Sequence, residues 1–314
     1  MRDVWGLEIE KEQMGLCQIR QASDGLEFKR GASLPLPPGL VTPSLTELNV
    51  ADEQEFVSQL RRLMNEVGWK GGSVVLALSD LTCRIGFQDF DELKGTHSET
   101  RQLLSWRLKD RLPFGSQEAR IDYQALPWQE NGTRLLYLVA REAVIAQYEI
   151  LLANAGLEPT RVITRGVALY RLHQVNHISD KRLFLAPGPS SIVLIYAEEE
   201  VPRLWRTLPW NGREDRHDGK HHAQKLVREL HETLSYLRDE MQAETPDHLC
   251  FMGGSDTSLA EWVTKAGWLP VCTISPESQD GVPTELLAPA GAALFHETWR
   301  LEWILPSTWP RPRF

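Results

Sequence analysis

Val4-Trp5-Gly6-Leu7-Glu8-Ile9-Glu10 alternates apolar and polar residues from the fourth position of the chain, and Met14-Gly15-Leu16-Cys17-Gln18-Ile19-Arg20 resumes the alternation after a short polar link. Period-two patterning on both sides of so short a connection predicts two adjacent strands joined by a hairpin. The arrangement returns past the midpoint, where residues 182–186 and 191–197 flank Pro187-Gly188-Pro189 and a third strand is expected near 203–208. A hairpin that opens both halves predicts a duplicated α/β chain with two lobes.

The 314 residues are 42% hydrophobic and 25% charged, enough for more than one core. A net charge of -9 with no concentrated basic stretch argues against nucleic acid as a partner, because neutralising phosphates requires an excess of Lys and Arg. Cys17, Cys83, Cys250 and Cys272 are scattered without metal-ligand spacing and read as buried free thiols of a reducing compartment. There is no secretory h-region and no apolar run of roughly 18 residues, so a cytoplasmic protein without a transmembrane segment is expected.

Between the two hairpins the pattern changes twice. Phe56, Leu60, Leu63, Met64 and Val67 recur at helical spacing, residues 31–44 are rich in Pro and Gly and read as loop, and 73–78 is a short central strand. From 81 to 158 the order becomes strand 82–87, helix 98–111, strand 135–140 and helix 142–155 closed by Gly156, a compact α+β insertion. Strand 161–164 and helix 167–175 return to the first lobe. The expected organisation is therefore a first lobe of 1–80 plus 160–180, an insertion over 81–159, a second lobe over 181–298 and a tail over 299–314. In the second lobe Leu226, Leu230, Leu234 and Leu237 mark a helix over 221–243. Strand 248–252 then runs through Gly253-Gly254 into a helix over 259–266, an arrangement common near nucleotides.

Several phrases, in order, carry a resemblance. They are Gly6-Leu7-Glu8-Ile9, Leu112-Pro113-Phe114 with Asp122-Tyr123, Val139-Ala140-Arg141-Glu142 with Tyr148, residues 151–159, residues 229–236, Gly253-Gly254 and residues 289–294. Together they resemble the PilM type of type IV pilus assembly protein, in the actin-like superfamily that includes the cell-division protein FtsA. The resemblance implies an α/β, actin-like two-lobed fold of duplicated ribonuclease H-like domains, with the α+β insertion in the first lobe. It also implies two hairpins that clasp nucleotide phosphates, each with a carboxylate for the metal and a glycine for close backbone approach.

Several positions depart from that pattern. Glu8 keeps the first acid, but Glu10 stands where a loop glycine is expected and Gly15 about where a phosphate-directed lysine would fall. The second hairpin keeps Gly188 but has Ala186 in place of an aspartate, and Pro187 and Pro189 lack N–H groups. Gly253 and Gly254 look intact. A carboxylate about 4 Å from a phosphate charge costs about 4 kcal/mol at an effective dielectric near 20. Mg-ATP is therefore disfavoured, with no other cofactor, no metal and no hydrolysis expected. The alternative is a working ATPase of the FtsA and PilM type with an unorthodox pocket. A sugar kinase of the same superfamily is disfavoured, since no sugar-binding set is present.

The resemblance further implies a partner: the N-terminal tail of a PilN-like inner-membrane protein, held in a groove beside the insertion. Other platform proteins of a type IV pilus or type II secretion system would assemble with it, placing the chain in the cytoplasm and peripherally at the inner membrane. Leu104, Trp106, Leu112 and Phe114 are the candidate tail-binding residues, the competing reading being that they form the insertion's own core. His217, His221 and His222 read as a solvated loop rather than a zinc site. Trp299, Trp303, Trp309 and Phe314, with Arg300, Arg311 and Arg313, are expected to pack on the second lobe, since Pro306, Pro310 and Pro312 break an amphipathic anchor helix.

Overall fold

The computed structural model describes residues 3–22, 25–93, 95–126, 132–174, 181–199, 201–210, 219–252, 261, 263–265, 269–273 and 281–296. Strands β1 (Asp3–Ile9), β2 (Gln13–Ala22), β3 (Gly25–Pro35), β4 (Val74–Leu78) and β8 (Pro159–Thr164) form a sheet of order β3-β2-β1-β4-β8. Strands β9 (Arg182–Pro187), β10 (Ser191–Glu198), β11 (Val201–Pro209), β12 (His248–Phe251) and β13 (Val271–Thr273) form a second of order β11-β10-β9-β12-β13. Each sheet runs as three antiparallel strands extended by two parallel ones. The same order and sense in both halves is the duplication expected from the two hairpins.

Side-chain alternation explains how the sheets are covered. In β10, Val193, Ile195 and Ala197 enter the large core shared with the first lobe, while Ile192, Leu194 and Tyr196 enter the second lobe's outer core. Both faces are thus buried, as continuous apolar strands require. Helix α5 (Gly219–Asp239) covers the outer face through Leu226, Leu230 and Leu237. Helices α4 (Arg165–Gln174) and α6 (Leu287–Ala293) contribute to the shared core, Tyr170 meeting Phe184 and Trp205 of the second sheet edge-on. On the first sheet lie α1 (Glu53–Glu66), whose N-cap Asp52 accepts from Glu55 N, and α3 (Glu142–Ala155), which ends at Gly156 with φ +92°.

The close approach of α6 depends on glycine. A Cβ on Gly6 would lie 1.8 Å from the Pro289 carbonyl oxygen, and one on Gly291 would lie 2.1 Å from that of Ala168. Gly6 in the opening phrase is therefore a contact point between β1 and the closing helix.

Strands β5 (Cys83–Phe90), β6 (Ala119–Leu126) and β7 (Thr133–Arg141) form a third sheet of order β5-β7-β6, packed with α2 (His97–Leu108). Their core is separate: Phe90, Leu104, Leu108, Ile121, Leu135, Tyr137 and Val139. Thr96 and Glu99 cap α2 reciprocally. Helix α3 follows directly in sequence but buries Val144, Tyr148, Leu151 and Leu152 in the first lobe's core, and its Gln147 binds the backbone of Asn49 and Val50.

Some local expectations need correction. Residues 31–35 belong to β3 rather than to a loop, because Gly25–Pro35 pairs along β2 as an edge strand where Pro35 is tolerated at the end. Strand β6 was not expected. Helix α5 stops at Asp239 rather than 243, where the chain turns through Gln242 at φ +52°. Cys17 and Cys83 are buried free thiols, but Cys250 is disulfide-bonded, and its partner's side chain lies outside those described. Gly253, Gly254, His217 and the tail from 297 also lie outside the described residues, as do the side chains of His221 and His222.

Candidate functional site

The two hairpins meet at the interface between the lobes, at the place expected from the sequence. Because side chains alternate along β1, Trp5, Leu7 and Ile9 enter the first lobe's core while Gly6 meets α6 and Glu8 points to the cleft. Glu8 is 2% exposed and Glu10 is fully buried. Two buried carboxylates need a counter-ion, and Arg165 supplies it. Its Nε lies 3.1 Å from Glu8 Oε1, and a Cβ on Gly188 would sit 3.1 Å from its Nη1, so the guanidinium fills the space between the two hairpins. Burial pushes the Glu8 carboxyl up to about 7, against the pull of Arg165. Burial likewise raises Glu10.

Several polar groups of the two turns are engaged within the protein. Glu10 N donates to Gln13 O at 2.9 Å and Lys11 N to Glu10 Oε2 at 3.2 Å, which uses the donors of the first turn. In the second turn Gly188 N donates to Ser191 O at 2.8 Å, and Pro187 and Pro189 have no N–H. Ser190 Oγ donates to Glu10 Oε2 at 2.9 Å and lies 2.7 Å from Ser79 Oγ, which therefore donates to Ser190. That chain of hydroxyls crosses from one lobe to the other. The start of α4, a natural anion site, is occupied by Asp80, whose two oxygens accept from Gly166 N at 3.1 and 3.0 Å. Asp80 is raised to about 6 by burial, an effect opposed by its hydrogen bond from Thr164.

The described residues outline a cleft of about 210 Å³ lined by Glu8, Gln13, Arg165, Thr284, Glu285 and Ala288. That is smaller than the roughly 300–1,000 Å³ of pockets for drug-sized ligands. Two of its lining residues are acids. The donor set of the two described turns does not fit a magnesium-bound triphosphate: Arg165 is committed to an acid, Pro187 and Pro189 have no N–H, and the amides of Glu10, Lys11 and Gly188 are bonded within the turns. Among the described residues no group of three or more His, Cys, Asp and Glu is placed to hold a metal ion.

The positions singled out in the sequence divide accordingly. Glu8 and Glu10 lie beside one another at the cleft, and Arg165 stands between Glu8 and Gly188. Gly15 is a packing residue: a Cβ there would meet Pro289 Cγ at 3.2 Å and Leu286 Cδ2 at 3.3 Å, so a lysine would run into α6 and the residue before it. Ala186 is fully buried in the shared core, opposite Val193. Arg165, Ser79, Asp80 and Ser190 were not anticipated. Of the tail-binding candidates, Leu104 is fully buried in the insertion's core, which corrects its assignment to a groove. Leu112 and Phe114 are half-buried against that core, and Trp106 is 60% exposed.

Two sheets of matching topology around an interlobe cleft, with an insertion in the first lobe, define an actin-like two-lobed α/β protein. Solved structures share this fold. The chain is similar to a chain of the PilM–PilN type IV pilus biogenesis complex, at 20% identity and a TM-score of 0.78, over 93% of this chain and 97% of that one. It is also similar to a Bacteroides thetaiotaomicron protein with an actin-like ATPase fold and unknown function (11% identity, TM-score 0.54, 92% and 95% covered). A third likeness is the cytoplasmic domain of EpsL, an inner-membrane component of the Vibrio cholerae type II secretion system (9% identity, TM-score 0.50, 85% and 97% covered). No protein-family model and no curated protein matches the chain. Among the described residues no helix is long and apolar enough to cross a membrane.

Proposed function

We propose that this chain is a cytoplasmic adaptor of a type IV pilus or type II secretion-like platform. It binds the N-terminal tail of a PilN-like inner-membrane protein and neither binds Mg-ATP tightly nor hydrolyses it. The observation that carries the reading is the Arg165 guanidinium lodged between Glu8 and the Gly188 turn, where a triphosphate would need donors and space. The Glu10–Ser190–Ser79 chain links the lobes in place of a nucleotide, and the Arg165–Glu8 pair, within the first lobe, faces the Gly188 turn of the second. The likeness to a PilM–PilN complex supports the choice of partner, and the likeness to the EpsL cytoplasmic domain supports a membrane-platform setting.

Within the insertion, Leu112 and Phe114 are the half-buried apolar residues we assign to the tail. A synthetic peptide of a PilN-like N-terminal tail is expected to bind the full chain saturably, and Phe114→Ala to weaken it by about tenfold, the scale of an interface anchor. Absence of binding by the wild-type chain would contradict the adaptor reading. Peptide-stimulated ATP hydrolysis would favour the working ATPase instead.

A further inference from the structure

The outer face of α2 is built unlike the rest of the surface. Thr100, Leu104 and Leu108, spaced by four, form its buried side. Leu103 and Trp106, three apart, look outward at 36% and 60% exposure, and Trp106 is the most exposed of the large apolar side chains among the described residues. Nothing in the helix's own packing requires a tryptophan there. Arg107 Cζ and Lys109 Nζ each lie 5.6 Å from the centre of its ring. Arg111 follows in the next turn, and Arg84 of β5 donates to its carbonyl.

These four cations differ from most arginines of the molecule. Arg120, Arg134, Arg141, Arg165 and Arg206 are ion-paired. Arg84, Arg107, Lys109 and Arg111 make no ion pair among the described residues. The acidic residue among them is Asp110, so this end of the insertion is locally positive on a chain whose net charge is -9. Cations without an acidic partner beside an exposed indole suit a surface that is anionic at its edge and apolar beneath.

We propose that this face of α2 docks on an anionic lipid bilayer, Trp106 and Leu103 entering the headgroup region while Arg84, Arg107, Lys109 and Arg111 meet lipid phosphates. Charge complementarity and the amphipathic tryptophan both favour a lipid surface. The inference goes beyond the adaptor reading: Trp106, expected from sequence to capture the partner tail, is assigned to lipid, and the tail to Leu112 and Phe114.

The test is co-sedimentation of the full chain with phosphatidylcholine vesicles with and without phosphatidylglycerol. Binding is expected only to the anionic vesicles and to weaken with added salt. Arg107→Glu with Lys109→Glu should lower the partition coefficient by about 30-fold or more, at about fivefold for each cation removed. Trp106→Ala should lower it by about tenfold. All of these side chains are exposed, so unchanged circular dichroism and thermal midpoints are expected. Trp303→Ala and Trp309→Ala should leave vesicle binding unchanged, and the α2 variants should keep the tail-peptide affinity. No binding to anionic vesicles, or binding that depends on Trp303 and Trp309 instead, would overturn the inference and leave the adaptor reading intact. Loss of peptide affinity in Trp106→Ala with vesicle binding retained would assign the face to the protein partner and overturn it too.

Discussion

Arg165→Ala is expected to destabilise the protein by about 3–5 kcal/mol at pH 8, the scale seen when one member of a buried ion pair is removed. The cost falls on the carboxylates left behind, since Glu8 and Glu10 are almost fully enclosed. It should also depend on pH in a definite direction. Burial raises Glu8 from 4.5 to about 7, so its contribution favours the folded state fully below about pH 4.5 and is lost as the pH rises through about 7. Arg165 opposes that rise, and without it the carboxyl climbs further, so a protonated Glu8 at pH 5.5 should make the loss smaller by about 1–2 kcal/mol. Chemical denaturation of wild type and variant at the two pH values reads both effects. In the triple variant Glu8→Gln, Glu10→Gln with Arg165→Met, most of the stability should return, because both acids that Arg165 neutralises are then uncharged as well. A loss below about 1 kcal/mol at both pH values would show the pair to be solvated.

Gly6→Ala should be nearly as damaging, at about 3 kcal/mol. The added methyl would meet three backbone atoms: Pro289 O at 1.8 Å, Pro289 C at 2.8 Å and Ala293 N at 2.9 Å. None is the end of a flexible side chain. Gly6 is itself fixed on a central strand, opposite Cys17 on one side and Val75 on the other. Relief therefore requires α6 to move off β1 and disturb the core both lobes share. A denaturation midpoint within error of wild type would refute this account of the opening glycine. Gly39→Ala is a useful contrast, since at φ +80° with nothing within 4 Å it meets backbone strain but no clash.

Much of the architecture was legible because it is written in periodicity. The two hairpins, α1, α3 with its closing glycine, and the strand–turn–strand around Gly188 all follow from spacing and punctuation. Strand β3 was obscured because Glu27, Lys29 and Arg30 with Gly31 and Pro35 look like a polar loop, although an edge strand tolerates all of them. Strand β6 carries Asp122, whose burial against His97 at 3.0 Å interrupts the apolar pattern a strand would show. At the site, the acids were visible and the cation was not. Arg165 sits in Thr164-Arg165-Gly166 with no motif around it, and one arginine in a sequence gives no sign that it will be 7% exposed. The signal that could have found it is electrostatic: two buried acids, Glu8 and Glu10, require a cation, and the start of the returning helix offers one. Gly15 shows the converse, a position taken for a lost lysine that is held small by packing against Leu286 and Pro289.

The central claim is that the molecule's own side chains occupy the place of a triphosphate between the lobes. Isothermal titration of the full chain with Mg-ATP tests it directly. The account predicts no saturable heat in the micromolar range, with wild type and Glu10→Gln alike. Saturable micromolar binding that requires magnesium would contradict it, because a triphosphate at the two hairpins would have to displace Arg165 from Glu8.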